Sequence, residues 1–212
     1  MPKKTTAFMI ALLFGMGGLF CSCAGVRVKP TDANFKSPII ELQSVEVAHY
    51  DGYWYYSGNI KPTKGQAGDH GAPLVLNVTF NITNPNPYPV FLDGYRFTLA
   101  FDGCDIITIR AYDTQWIPAG MTKGFFSPKV VETYTNQLVH TTMVTTRSAL
   151  LGVGAVSGHK LNAMGLDIWQ AMEKWWTTVE DLAFPMTVYD GAFTFKANGV
   201  SKVLGFNGKY PM

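Results

Sequence analysis

The stretch from Leu74 to Thr83 alternates between apolar and polar residues at every step. Its apolar side chains share one face: Leu74, Leu76, Val78, Phe80 and Ile82. Because successive side chains of a β-strand point to opposite faces, this spacing predicts a strand with one buried and one wetter face. The Asn-Pro-Asn-Pro run at 84–87 ends the strand, since proline has no N–H to donate to a sheet.

Strand signals recur on both sides of this segment. The 21 glycines, 12 prolines and 14% aromatic residues favour short strands joined by turns over a helical bundle. Asp102-Gly103 is a turn signal, and Asn198-Gly199 is the strongest short hairpin signal in the chain. A further turn is predicted at 116–120. The other predicted strands lie at 38–47, 90–101, 105–112, about 123–127, 187–197 and 200–206.

A helical insertion is predicted between these strands, at about 130–182. Turn residues disappear over 130–151, although many threonines lower the helix propensity there, and glycines interrupt the block at 152–158. Residues beyond 160 carry an apolar stripe that steps by three or four, which predicts a helix packed on a sheet: Met164, Ile168, Met172, Trp175, Val179 and Leu182. Trp169 and Trp176 lie beside the stripe, for which core packing is favoured over a cofactor pocket.

Residues 1–22 have the pattern of an export signal. Two lysines precede an apolar stretch from 7 to 20, which is shorter than the roughly 20 residues needed to span a bilayer. The end of this leader resembles the lipobox of bacterial lipoproteins, in which a small residue precedes the acylated cysteine. Ser22 fits that place before Cys23, whereas Phe20 before Cys21 is too bulky. Acylation is therefore predicted at Cys23, with Cys21 as the disfavoured choice and an unacylated periplasmic protein as the alternative.

The expected location is the bacterial cell envelope, with residues 23–37 as an acylated tether and the folded domain at 38–212. Ala24 rather than Asp follows the anchor, which favours the outer membrane, facing the periplasm. Loss of Lys3 and Lys4 with the leader leaves 15 Lys+Arg against 15 Asp+Glu. Without net charge or a basic run, nucleic acid is excluded as a partner, and the membrane is the expected one.

The sequence carries no recognisable catalytic or metal-binding motif. Its histidines are far apart and lack the spacing of metal ligands: His49, His70, His140 and His159. The run Gly152-Val-Gly-Ala-Val-Ser-Gly158 has the wrong spacing for a dinucleotide loop, and no G-x-S-x-G elbow is present. We therefore expect no enzymatic activity, no cofactor and no metal. Cys104 is the one cysteine apart from Cys21 and Cys23, and a buried or turn position is favoured over a reactive thiol.

An aromatic run after Asp51-Gly52 is the candidate binding surface: Tyr53, Trp54, Tyr55 and Tyr56. With Tyr50, Trp169, Trp175 and Trp176, the chain has more large aromatics than a core of this size requires. Such rings are enriched at protein interfaces, and they also stack on glycans. Burial of most of them in the core remains the favoured interpretation.

Residues 74–103 resemble the type 2 late-embryogenesis-abundant family, also called the water-stress and hypersensitive-response domain. The match comprises Asn84, Pro85, Asn86, Pro87, Tyr88, Val90, Leu92, Gly94 and Tyr95, and the Ile117-Pro118-Ala119-Gly120 turn fits a later family motif. The resemblance covers about 38–130 and 184–212. It implies a mainly β fold, an antiparallel β-sandwich of the fibronectin type III kind with a helix packed on it, and no enzymatic activity. A structural role is favoured for 84–87, because Asn-Pro repeats make stiff crossovers between strands.

Two functions follow as hypotheses from the anchor and this resemblance. The first is a stress-associated or envelope-maintenance lipoprotein that acts by binding proteins or membrane surfaces. The second is a structural accessory subunit of a larger membrane complex, docked through the anchor and the helical insertion.

Overall fold

The computed structural model describes residues 28–50, 73–119, 121–123, 130–132, 135–153, 158–179, 181 and 183–211. Most of this chain is β-strand, and the helices are short. The strands are β1 (Ile39–Tyr50), β2 (Pro73–Thr83), β3 (Val90–Phe101), β4 (Cys104–Ala111), β5 (Gln115–Ile117), β6 (Met121–Lys123), β7 (Val130–Glu132), β8 (Thr135–Thr145), β9 (Met186–Ala197) and β10 (Val200–Tyr210). The helices are α1 (Thr146–Gly152), α2 (Gly158–Ala163) and α3 (Ile168–Thr178).

Two antiparallel sheets form the body of the domain. The first has the order β1-β2-β8, and the second has the order β10-β9-β3-β4, with β5 paired to β3. The sheets face each other across an aromatic core, in which the Phe80 ring of β2 lies 5.3 Å from Phe97 and 5.2 Å from Phe193. The predicted antiparallel β-sandwich is confirmed.

The alternating segment is the central strand of the first sheet. All of its predicted core residues are fully buried: Leu74, Leu76, Val78, Phe80 and Ile82. Since β2 pairs with β1 on one side and β8 on the other, its backbone is satisfied along both edges. The predicted strands at 90–101, 105–112, 187–197 and 200–206 are also confirmed, within the usual variation at strand ends.

The predicted helix over 130–151 is wrong for most of its length. Residues 135–145 form β8, which pairs with the whole of β2 from Thr83 opposite Thr135 to Pro73 opposite Thr145. The threonines and valines of this segment are β-branched, and such side chains pack more readily on a sheet than in a helix. The helical insertion therefore begins at Thr146, where the Thr145 hydroxyl accepts the Ser148 N–H at 3.0 Å as a cap.

The helix predicted beyond 160 consists of two helices instead of one. Gly165 adopts a φ of 68° between α2 and α3, and Asp167 caps α3 by accepting the Gln170 N–H at 2.8 Å. Met172, Trp175 and Val179 of the stripe are fully buried, as is Trp176. Met164 and Trp169 are exposed, and Ile168 is half-buried. The side chain of Leu182 lies outside the described residues.

Two turn predictions have different outcomes. The Asn198-Gly199 hairpin is confirmed, and both residues have the positive φ, 45° and 86°, that a two-residue hairpin turn requires. At 116–120 the turn prediction is partly wrong, because Trp116 and Ile117 lie in β5 opposite Phe91 and Val90 of β3.

The sandwich has two distinct ends. The tether end carries the start of β1, residues 84–89 between β2 and β3, and the Asn198-Gly199 hairpin. The helical end carries the last residue of β1, Tyr50, whose hydroxyl donates to the backbone carbonyl of Trp176 in α3. Within the described ranges, no helix is long and apolar enough to span a bilayer.

Candidate functional site

The predicted anchor and the predicted aromatic surface lie outside the described residues. These are Cys21, Cys23, Tyr53, Trp54, Tyr55 and Tyr56. The predicted family motif at 84–87 is described in full, at the tether end. Cys104 is also described and is fully buried, and burial raises the pKa of its thiol above the ordinary value. Among the residues with described positions, no group of three His, Cys, Asp or Glu side chains is arranged to hold a metal ion.

Asn84 ties three pieces of backbone together at the tether end. Its side chain is fully buried, and its amide nitrogen donates to the carbonyls of Tyr88 at 2.9 Å, Pro118 at 3.0 Å and Ile117 at 3.3 Å. Its amide oxygen accepts the backbone N–H of Asn86 at 3.0 Å. The residues after β2 and after β5 are therefore joined through one asparagine, whose buried amide satisfies the backbone carbonyls around it.

Asn86 attaches the start of the domain to the same site. Its amide oxygen accepts the Lys36 N–H at 2.8 Å, and its amide nitrogen donates to the Lys36 carbonyl at 2.7 Å. This pair imitates the two hydrogen bonds that a strand partner would make. We call Asn84 and Asn86 with these partners the asparagine clamp. Pro85 and Pro87, which follow the two asparagines, limit the backbone to extended conformations, which holds both amides in place.

The segment predicted as tether is partly folded against the domain. Phe35 is 5% exposed, its carbonyl accepts from Lys202 Nζ at 3.1 Å, and the same ammonium lies 5.2 Å from the centre of its ring. The Tyr88 hydroxyl also donates to Asn34, at 3.0 Å to its side-chain oxygen. The folded domain therefore begins before the predicted boundary at 38, and the chain emerges at a fixed place.

An open groove lies beside the emerging chain, with a volume of ≈ 870 Å³. Its walls are mainly apolar and include three prolines: Val28, Pro30, Pro87, Tyr88, Pro89 and Trp116. Trp116 is 63% exposed, and its ring packs against Phe91 at 4.9 Å between centroids. We call this concave surface the tether-end groove.

A second concavity lies on the outer face of the other sheet, with a volume of ≈ 300 Å³. Arg96 of β3 and Arg110 of β4 stand directly opposite each other in the ladder and line this space with Tyr112. We call it the arginine notch. The notch is not apparent from the sequence, because a bulge between Leu99 and Ala100 shifts the β3–β4 register and brings the two arginines opposite each other.

A partly buried polar cluster links the two sheets next to the notch. The Tyr95 hydroxyl lies 2.8 Å from His140 Nδ1 and 3.3 Å from Asp113 Oδ2. Burial lowers the pKa of His140 below its ordinary 6.5, and the Asp113 carboxylate opposes part of this shift. Burial, with Asp113, raises the pKa of the Tyr95 hydroxyl. The fold therefore favours the neutral form of the His140 imidazole.

Folding stability is expected to fall as the pH drops below about 6.5. Below that pH His140 is protonated in the unfolded chain, whereas in the folded chain its lowered pKa disfavours protonation. Melting temperatures between about pH 7.5 and 5 measure this effect. His140→Gln should flatten the profile, whereas His159→Gln, at an exposed position on α2, should leave it unchanged. Equal slopes in wild type and His140→Gln would contradict the assignment.

Comparisons with known proteins assign no family. No family model matches the sequence, and no curated protein matches it. A solved structure from Archaeoglobus fulgidus covers 81% of this chain and 98% of its own, at 10% identity and a TM-score of 0.37. A Northeast Structural Genomics Consortium target covers 82% and 85%, at 9% identity and 0.39. A solution structure described as a candidate late embryogenesis abundant protein covers 99% and 87%, at 12% identity and 0.28. Similarities this weak assign neither family nor function.

Proposed function

We propose that this chain is a lipid-anchored, non-enzymatic protein of the bacterial cell envelope, whose β-sandwich acts by binding. The observation that carries the proposal is the asparagine clamp, which fixes where the chain leaves the domain. Lys36 is held by Asn86 through two hydrogen bonds, and the residues before it lead towards the predicted anchor at Cys23. In this proposal the tether end of the domain faces the membrane.

The short distance in sequence between anchor and domain supports this orientation. Val28 follows Cys23 by five residues, which span at most about 17 Å when fully extended. The tether end must then face the bilayer surface, and we propose the lipid headgroup region as the occupant of the tether-end groove. Trp116 suits that region, since an indole combines an apolar ring with an N–H that water or a headgroup can accept.

The opposite end is then displayed away from the membrane. Strands of 11 and 12 residues place it about 36–40 Å from the tether end. Tyr50 lies at this end and precedes the aromatic run by three positions, and we propose Tyr53, Trp54, Tyr55 and Tyr56 as a binding surface for a partner in the periplasm. The resemblance of residues 84–87 to the water-stress family supports a role in envelope maintenance under stress.

Replacing Cys23 with serine is expected to abolish acylation and release the protein from membranes, because serine has no thiol to carry the diacylglycerol. Cells grown with alkyne-tagged palmitate report the label, and membrane fractionation reports the location. Cys21→Ser is the matched control and should keep both label and membrane association.

The outcomes separate the parts of this proposal. Loss of label in Cys21→Ser alone would move the anchor to Cys21 and overturn the choice of Cys23. Retention of label in both single variants would overturn the choice of Cys23 alone, and no label in the wild type would overturn lipid anchoring at these cysteines.

A second function, as an accessory subunit of a membrane complex, is favoured by apolar side chains exposed at the helical end. Leu151 is 65% exposed and Trp169 41%, on α1 and α3. The native mass after gentle detergent extraction distinguishes the two. A large assembly of fixed composition would support the accessory subunit, and a small particle carrying lipid alone would support the free envelope protein.

A further inference from the structure

The arginine notch places two positive charges side by side, and this arrangement does not stabilise the fold. Arg96 and Arg110 are both exposed and stand directly opposite in the β3–β4 ladder, so their side chains share the outer face. Like charges in this position repel each other and disfavour the fold. Within the described part of the chain, neither guanidinium belongs to an ion pair.

The carboxylate that lines the notch is already engaged. Asp93 lines the notch, but its Oδ2 lies 2.7 Å from Lys196 Nζ. The positive charge of the two guanidiniums is therefore left for a ligand. Arginine suits such a task because its planar fork of N–H groups matches the two oxygens of a carboxylate or phosphate.

Small residues keep the floor of the notch open. Gly94, Ala192 and Thr194 line it from β3 and β9, and Ala192 stands next to Arg96 in the sheet. A Cβ atom added at Gly94 would lie 3.1 Å from the Ala111 carbonyl oxygen and 3.5 Å from the Tyr112 ring. The absence of a side chain at Gly94 thus preserves the space between the arginines and Tyr112.

Tyr112 provides a flat apolar wall. It is 83% exposed, immediately after β4, and it lines the notch with the arginines. The C–H groups of a pyranose ring pack well on an aromatic face, and a volume of ≈ 300 Å³ lies at the small end of the range for ligand sites.

We propose that the arginine notch binds an anionic saccharide, with a phosphate or carboxylate between Arg96 and Arg110 and the sugar ring against Tyr112. The site lies on the face of the second sheet, so binding does not depend on whether Cys23 is acylated. It adds an anion-binding site to the domain that neither the anchor nor the aromatic run implies.

The test is calorimetric titration of the full-length protein in a nonionic detergent with four probes. Glucose 6-phosphate and glucuronate carry the sugar with either anion, inorganic phosphate carries the anion alone, and glucose carries the sugar alone. We expect saturable binding of at least one charged sugar, with inorganic phosphate weaker and glucose undetected. The ratio of glucose 6-phosphate to glucuronate affinity distinguishes a phosphorylated source from a uronate source.

Variants assign the binding to the notch. Arg96→Gln with Arg110→Gln should weaken charged-sugar binding by about tenfold or more, since charge-assisted bidentate hydrogen bonds are lost. Tyr112→Ala should weaken the charged sugars and leave inorganic phosphate unchanged. Lys209→Gln removes the same charge from an exposed position on β10 and should change neither.

The thermal melt separates a lost site from a lost fold. The double arginine variant should melt at or above the wild-type temperature, because the cross-strand repulsion is removed. Absence of saturable binding by both charged sugars, or equal binding by wild type and the double variant, would overturn the proposal. Equal affinity for phosphate and glucose 6-phosphate, with no effect of Tyr112→Ala, would overturn the saccharide class.

Discussion

Asn84→Ala is expected to destabilise the domain by about 3–5 kcal/mol, a large part of the total stability of a domain this size. The substitution removes the donor shared by the Tyr88, Ile117 and Pro118 carbonyls. It also removes the acceptor of the Asn86 N–H. Each buried polar group left without a partner costs roughly 1–3 kcal/mol, and the carbonyls of Tyr88 and Ile117 belong to buried residues. Chemical denaturation of the purified protein measures the change.

Two further variants define what the clamp requires. Asn81→Ala, on the wetter face of β2, removes the same side chain from a half-buried position and should cost less than about 1 kcal/mol. Asn84→Asp keeps the shape but puts a carboxylate against three carbonyls, so it should be at least as damaging as alanine. If Asn84→Ala and Asn81→Ala had equal effects, the clamp would not be the source of stability at the tether end.

Trp175→Ala is expected to destabilise the protein by about 3–5 kcal/mol and to loosen the helical end first. The ring is fully buried, with its centre 5.8 Å from Phe101 and 6.4 Å from Phe184. Its Nε1 donates to Asp102 Oδ2 at 2.7 Å, which ties α3 to the turn between β3 and β4. Both the packing and this hydrogen bond are lost in the alanine variant.

Comparison within one helix separates these two losses. Trp175→Phe keeps most of the ring but removes the N–H donor, and it should cost less, because Lys174 Nζ still pairs with Asp102 at 2.6 Å. Trp169→Ala removes a tryptophan that is 41% exposed on the same helix and should cost about 1 kcal/mol or less. Chemical denaturation gives the free energies, and amide exchange locates the loosening. A cost for Trp169→Ala equal to that of Trp175→Ala would contradict this account.

The sequence predicts the strands in which the inward-facing residues are apolar. It does not predict β8, in which some polar residues face the core and some apolar residues face outwards. In β2 every second residue is apolar and buried, so periodicity alone was sufficient. In β8 the inward positions include Thr142, which is 7% exposed, while Val139 and Met143 face outwards at 52% and 60%. This mixture hides the alternation. Only the neighbouring strand, which is distant in sequence, selects the conformation.

The candidate functional surfaces also differ in how far the sequence predicts them. A structural role for residues 84–87 is predictable from the local chemistry of asparagine and proline, without knowledge of the fold. The arginine notch depends on a register that a bulge shifts by one residue, and periodicity does not reveal a bulge. Arg96 and Arg110 are 14 positions apart, and only the pairing of β3 with β4 makes them neighbours.

If the domain is anchored through its first residues, as proposed, the position of β1 has a mechanical consequence. A pull on the tether reaches the contacts of Asn34 and Phe35 first, then the two hydrogen bonds between Lys36 and Asn86, and then the ladder between β1 and β2. The force acts along β1, whereas the hydrogen bonds between β1 and β2 lie perpendicular to it. These hydrogen bonds are therefore loaded together, in shear. A chain that left β1 sideways would instead be peeled off one bond at a time.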